Sequence, residues 1–294
     1  YHLQVALDSS FLNLVFADSL IGDTVNLVKS LANATTYYWR VRALNNIGWS
    51  SWSPIWNFRT INNYFVQGKI LFDKNNNGVR IPEDSNDVGI TGWKIYLRGP
   101  VNDSMMTDKS GFYRFERLPK GYYEVSESKL PGWTKVFPSW PIYGFTLDSS
   151  RNSTVCNFGY FALNVAKCDI LNRWNLISLP VMPASAKKND IYPSSSSAAF
   201  GFNGTSFNAE NLEFGKGYWL NFSGVQTLWI PGSPVTLDTI DLLSGWNISG
   251  SISDTLPITS LITIPDTIIS SFIYQYNGGY NLSDTLIPGK GYWL

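Results

Sequence analysis

The hexapeptide Gly215-Lys216-Gly217-Tyr218-Trp219-Leu220 recurs letter for letter from Gly289 to Leu294. Two further echoes keep step with it. Trp174-Asn175-Leu176-Ile177-Ser178 returns as Trp246-Asn247-Ile248-Ser249, and Phe202-Asn203-Gly204 returns as Tyr276-Asn277-Gly278. A period of roughly 70 residues is too long for a short-unit solenoid. Residues 163–294 therefore read as a duplicated β unit, two halves of one domain, with repeats at about 170–222 and 242–294.

The rest of the 294 residues shows the same preference for strands. No long segment places apolar residues at i, i+3, i+4 and i+7. Charged residues make up only 15% of the chain and aromatics 15%, a balance that suits thin aromatic cores between sheets joined by turns. The predicted fold class is all-β: two tandem β-sandwich modules, residues 1–61 and 62–162, followed by the duplicated unit. The three are read as independent modules.

In the first module, strands are predicted at His2–Leu7, Asn26–Leu31, Thr36–Leu44 and Ile55–Thr60. Leu31, Tyr37, Trp39, Val41 and Ala43 share one face of an alternating run, and Tyr37 fits a tyrosine corner, its hydroxyl tied to upstream backbone. On these residues the module resembles the fibronectin type III family over strands C to G, which implies a sandwich lacking its first two strands. Trp49-Ser50-Ser51-Trp52-Ser53 is similar to the W-S-x-W-S box of cytokine-receptor domains. Arg40 and Arg42 are placed to interleave with its tryptophans. A stabilising stack without any receptor role is the reading preferred.

The second module runs through Val66-Gln67-Gly68-Lys69-Ile70-Leu71-Phe72, Gly92-Trp93-Lys94-Ile95-Tyr96-Leu97, Thr107-Asp108-Lys109-Ser110-Gly111-Phe112, Leu118-Pro119-Lys120-Gly121, Pro131-Gly132-Trp133 and Asn157-Phe158-Gly159. Thr107-Asp108-x-x-Gly111 and Leu118-Pro119-x-Gly121 are tight turns between strands. In this order the motifs resemble the B-type repeat of serine–aspartate repeat surface proteins, related to the B domains of collagen adhesins. The resemblance implies a prealbumin-like sandwich used as a rod segment on a microbial surface.

Asp73-x-Asn75-x-Asn77-Gly78 has the spacing of a calcium loop. Side chains at positions 1, 3 and 5 converge because a glycine permits the sharp turn at position 6. Val79 would offer its carbonyl, and Asp84 or Glu83 would close the shell. So few carboxylates imply weak binding, on the order of 10⁻⁴–10⁻³ M, by a structural Ca²⁺. The alternative is a solvated D-N-N-G turn that binds nothing. The collagen-adhesin resemblance implies a second feature, an isopeptide from a first-strand lysine to an asparagine near the last strand, assisted by a carboxylate. Lys69, Asn157 and Glu127 lie in those regions, with Lys69 taken to share a face with the family's lysine.

Cys156 and Cys168 are the two cysteines. Their spacing leaves both a disulfide and two free thiols open. The sole histidine, His2, rules out a Ser-His-Asp triad, a Cys-His dyad or a multi-histidine zinc site built from these residues. Net charge is zero, with 22 basic and 22 acidic residues and no basic stripe, so nucleic acid is not an expected partner. No apolar run is long enough to span a bilayer. The chain begins at Tyr1 and stops within a repeat, so it is expected to be a piece of something longer.

The third module is similar to a duplicated module found near the C-termini of secreted bacterial proteins. Together these resemblances imply a non-catalytic extracellular or cell-surface protein serving adhesion and display, with a matrix protein or glycan as ligand. The rival is an accessory region of a secreted hydrolase, a spacer or a carbohydrate binder. Trp219, Trp229 and Trp293 admit sugar platforms or repeat core, and core is the reading preferred.

Overall fold

A computed structural model of the chain describes residues 1–61, 64–78, 86–266 and 268–294. Among them the helices are confined to Lys188–Ile191 and a 3-10 turn at Ile258–Ser260; the regular structure is otherwise strand. The protein is a tandem of all-β modules, as alternation and turn chemistry predict.

Residues 2–59 form one sheet in the order Leu14–Asp18, His2–Ala6, Thr36–Arg42, Trp56–Arg59. The Ala32 N–H donates to the Tyr37 hydroxyl at 2.8 Å, the expected corner. Arg40 lies 4.1 Å from the Phe11 ring and 4.3 Å from Trp52, while Arg42 lies 4.5 Å from Trp52 and 4.7 Å from Trp49. The Trp-Arg ladder thus exists and clamps the sheet. One expected strand is corrected: Asn26–Leu31 is irregular, and Leu14–Asp18 takes the edge beside His2–Ala6 instead.

Residues 64–161 fold as two sheets. One has the order Tyr143–Leu147, Gly121–Glu127, Lys94–Arg98, Asp103–Met106. The other has the order Thr134–Phe137, Phe158–Phe161, Tyr64–Phe72, Ser153–Val155, with Phe112–Leu118 and Val88–Gly89 also pairing Tyr64–Phe72. Period-two alternation supplies the core between them: Ile95 with Leu97, Tyr123 with Val125, Phe145 with Leu147, Tyr113 with Phe115, and Phe158 with Tyr160, closed by the fully buried Trp93.

Residues 165–293 hold the two repeats. In the first, strands Arg173–Ser178, Gly217–Phe222, Ala199–Phe202 and Ser206–Ala209 form a sheet; in the second, Ile248–Ser249, Tyr292–Trp293, Tyr274–Tyr276 and Tyr280–Leu282 repeat that order. Local devices are copied too. The Asn175 amide bonds Leu171 N–H, Leu171 O and Arg173 O, and the Asn247 amide bonds Leu243 N–H, Leu243 O and Gly245 O. The Tyr218 hydroxyl accepts from Glu213 N–H, as that of Tyr292 does from Ile287 N–H.

The repeats face each other about a pseudo-two-fold axis. Ser178 N–H donates to Gly289 O at 3.0 Å, and its counterpart Gly250 N–H donates to Gly215 O at 2.7 Å. Trp219 meets Tyr276 at 4.8 Å between centroids, and reciprocally Trp293 meets Phe202 at 5.0 Å. Such reciprocity is the signature of a self-complementary interface, here within one chain.

The second and third modules are not independent. Trp229, in the strand Gln226–Pro231 that follows the first repeat, packs onto the second module's core. Gly132 and Gly92 make room for the joint: a Cβ on either would come within 2.9 Å of Pro231 or Ser194 respectively. Burial across this joint was invisible to local patterning.

Candidate functional site

The calcium-loop residues sit where strand Tyr64–Phe72 ends. Asp73 is fully buried, and its carboxylate accepts from Asn77 N–H at 3.2 Å and from Gly78 N–H at 2.8 Å. Asn77 N–H also reaches Asn75 Oδ1 at 3.3 Å. Gly78 has a φ of 71°, which a side chain would resist. The loop therefore curls around the Asp73 carboxylate, a geometry common to a calcium loop and to a D-N-N-G turn that binds nothing. Val79, Glu83 and Asp84 lie outside the described residues.

Sequence reasoning overlooked Asp87. Leu71 pairs with Gly89 and Phe72 with Val88, so Asp73 and Asp87 each follow or precede the last register pair at the loop's stem. Asp87 is also buried, at 8% exposure. The signal was the second acid at the loop's far end, where an antiparallel stem returns it beside the first. Among the described residues no group of three His, Cys, Asp or Glu is close enough to hold a metal. Asp73 forms no salt bridge among them either. Among the described residues its charge is met by the backbone N–H groups of Asn77 and Gly78, and its oxygens are of the hard type a Ca²⁺ site would use.

The isopeptide set is not assembled. Asn157 does reach Lys69, but through backbone: Lys69 N–H donates to Asn157 Oδ1 at 2.9 Å. The side chain of Lys69 alternates away from the core that Val66, Ile70 and Phe72 face. It is near enough to Asp108 to stabilise that carboxylate. Glu127 instead points inward with Tyr123 and Val125. The correction follows from register: a slip of one residue exchanges the faces of a strand. The inward slot beside Lys69 belongs to Gly68, where any Cβ would collide with the Cys156 carbonyl and crowd the Tyr113 hydroxyl.

Glu127 has another lysine. Lys135 Nζ lies 2.9 Å from Glu127 Oε1, with the two side chains 23% and 6% exposed. The Tyr160 hydroxyl donates to the same oxygen at 2.7 Å. Burial first, then the Glu127 carboxylate, pushes the Tyr160 hydroxyl's pKa far upward. Lys135 also lies 4.8 Å from the Phe158 ring centroid. Its signal was its place beside Tyr160 in the register of strand Thr134–Phe137.

Cys156 and Cys168 are free thiols, buried in two different cores. Of the three tryptophans weighed as platforms, Trp229 fills the joint between modules, and Trp219 and Trp293 are partly buried between the repeats. No helix among the described residues is long and apolar enough to cross a membrane.

Two facing sheets with a buried aromatic core, entered and left by neighbouring strands, make residues 64–161 a β-sandwich. Residues 67–166 match the SdrD B-like domain family. Among solved structures the chain is similar to the major pilin subunit BcpA of Bacillus cereus, at 8% identity and a TM-score of 0.28, covering 46% of this chain and 41% of that one. It is similar to the shaft pilin SpaA of Lactobacillus rhamnosus GG, at 10% identity and 0.28, covering 57% and 79%. It is also similar to a streptococcal ancillary pilin, at 14% identity and 0.27, covering 70% of each chain. The chain thus spans about two fifths of the length of the Bacillus pilin. Comparison with curated proteins gives no match.

Proposed function

We propose that this chain is part of an extracellular, cell-surface stalk that holds an adhesive or displayed element away from its base, without catalysis. The observation that carries the reading is the strand pairing at the ends of the second module. Its first strand, Tyr64–Phe72, and its last, Phe158–Phe161, lie side by side and parallel, with Phe158, Gly159 and Tyr160 opposite Ile70, Leu71 and Phe72. Tension applied through the two ends pulls these strands in opposite directions along their length. All the bonds between them are then strained together rather than opened one by one. The match of residues 67–166 to the SdrD B-like domain family supports the same reading. The expected partner is a matrix protein or a glycan.

Stretching the full chain by single-molecule force spectroscopy tests this. The 98 residues from 64 to 161 (161 − 64 + 1) should yield at the highest force, lengthening the chain by about 300 Å at ~3.5 Å per residue less the folded span. An event of that length no stronger than those of the hairpin-edged repeats would overturn the reading.

We infer further that the loop between Asp73 and Asp87 takes a structural Ca²⁺, with Asp73 as first ligand and Asp87 as a second carboxylate at the stem. Binding to the folded chain alone raises its stability by RT ln(1 + [L]/Kd), about 1.4–2.7 kcal/mol at roughly 10 mM Ca²⁺ for a Kd on the order of 10⁻⁴–10⁻³ M. Calorimetric titration should show binding that Asp73→Asn and Asp87→Asn each weaken. No heat, and no rise in melting temperature with Ca²⁺, would dismiss it.

A further inference from the structure

The pairing of the two repeats creates a cleft that neither repeat makes alone. Phe202 comes from the first repeat, and Trp246, Tyr274, Tyr280 and Trp293 come from the second. The cleft is wide open to solvent and offers about 480 Å³, within the roughly 300–1,000 Å³ typical of small-molecule sites. Its walls meet at steep angles. Trp246 stands at 85° to Trp293 with centroids 6.3 Å apart, and Trp293 stands at 66° to Phe202. Trp246 and Tyr280 are 52% and 59% exposed, so broad aromatic faces are open to solvent.

Two properties of the lining select an occupant. Among the described residues no charged side chain lines it, so an ionic ligand would find no counter-charge there. The lining also presents the hydroxyl-bearing rings of Tyr274 and Tyr280. A neutral ring with C–H faces for the aromatic walls and oxygens around its edge answers both properties. Steeply angled walls form a corner that seats a ring, whereas an extended peptide needs a continuous groove.

We propose that this inter-repeat cleft binds a neutral saccharide, one pyranose ring stacked on Trp246 with its edge oxygens within reach of the Tyr274 and Tyr280 hydroxyls. The pseudo-two-fold axis provides an internal control. Trp174, Phe200, Trp219 and Tyr276 occupy the equivalent positions in the other half, but Ser206 stands where Tyr280 does. Tyr280 instead packs its ring on Trp219 and Tyr276, 6.3 and 5.5 Å away between centroids, covering that half, and the saccharide is assigned to the Trp246 side alone. This proposal stands apart from the stalk reading: a stalk with an empty cleft, or a sugar binder without mechanical strength, are separable results.

The test titrates the full chain with cellotetraose, xylotetraose, maltotetraose and chitotetraose, following tryptophan fluorescence and heat. At least one should bind with a Kd below roughly 10 mM. Trp246→Ala should weaken it about tenfold or more while Trp174→Ala leaves it unchanged. Both variants should keep the parent's melting temperature within a few degrees, since both side chains are exposed. Tyr280→Phe should retain stacking and bind within a fewfold of the parent. Failure of all four sugars, equal loss in both tryptophan variants, or binding of decaproline in place of the sugars would overturn the proposal.

Discussion

The indole of Trp229 meets the ring of Phe72 edge-on, with centroids 5.7 Å apart, across the boundary between the second and third modules. Phe72 also touches Trp133, and Lys74, the first residue after Asp73, sits 4.8 Å from the Trp229 ring centroid. Thr91 Oγ1 adds a hydrogen bond to Gln226 at 3.3 Å. The joint is therefore packed like a core rather than strung like a linker.

Replacing Trp229 by Ala should cost about 3–5 kcal/mol, the usual range for a large aromatic removed from a packed site. Its effect should also be qualitative. Differential scanning calorimetry of the parent should show residues 64–231 melting together, and Trp229→Ala should split that transition in two. A variant that lowers only one of two transitions already separate in the parent would contradict shared packing.

The Glu127–Lys135 pair calls for a double-mutant cycle. Glu127→Leu leaves the Lys135 ammonium with only the Trp140 and Pro141 carbonyls and the Tyr160 hydroxyl without its acceptor, and should destabilise by about 3 kcal/mol. Adding Lys135→Met removes the stranded charge and should restore a large part of that loss, because buried pairs often exchange for apolar side chains at little net cost. Additive losses in urea denaturation would show that the two residues do not interact.

Asn175 and Asn247 offer a comparison in which chemistry is held constant and burial varies. Each amide makes the same three backbone bonds, but Asn175 is 4% exposed and Asn247 is half-buried. Asn175→Ala should cost about 2–3 kcal/mol and Asn247→Ala about 1 kcal/mol, since water replaces lost partners only where it can reach. Equal losses by chemical denaturation would refute the burial argument.

Burial pushes both thiols up to about 12, Cys168 being further adjusted by Lys290 and Asp169. Unfolded cysteine ionises near 8.5. Between those values the unfolded chain has released protons that the folded chain retains. Stability is therefore undiminished below about pH 8.5 and falls as pH rises toward 12. Iodoacetamide at pH 8 should label neither thiol in the native chain and both in denaturant. Labelling that fails even in denaturant would reveal a disulfide.

The parts of this structure legible in the sequence are those whose cause is local. Alternation located the core of residues 64–161, glycine-marked turns located its corners, and the recurring hexapeptide located the duplicated halves. Lys69 went astray because face assignment depends on register, and one position separates it from Gly68. Leu14–Asp18 reads as an unremarkable apolar run until its partner His2–Ala6 is known. Asp87, Lys135 and Trp229 acquire meaning only through neighbours distant in sequence. The cleft around Trp246 belongs to the same class: its walls come from both repeats.

The reciprocal pairing of the repeats also sets an order of events during synthesis. The hydroxyl of Ser178 is completed by the Lys290 carbonyl, 112 residues later. At ≈ 5–20 residues per second, a ribosome needs about 6–22 s to bridge that interval. Throughout it the earlier copy has an unfinished edge, which closes only when its twin emerges.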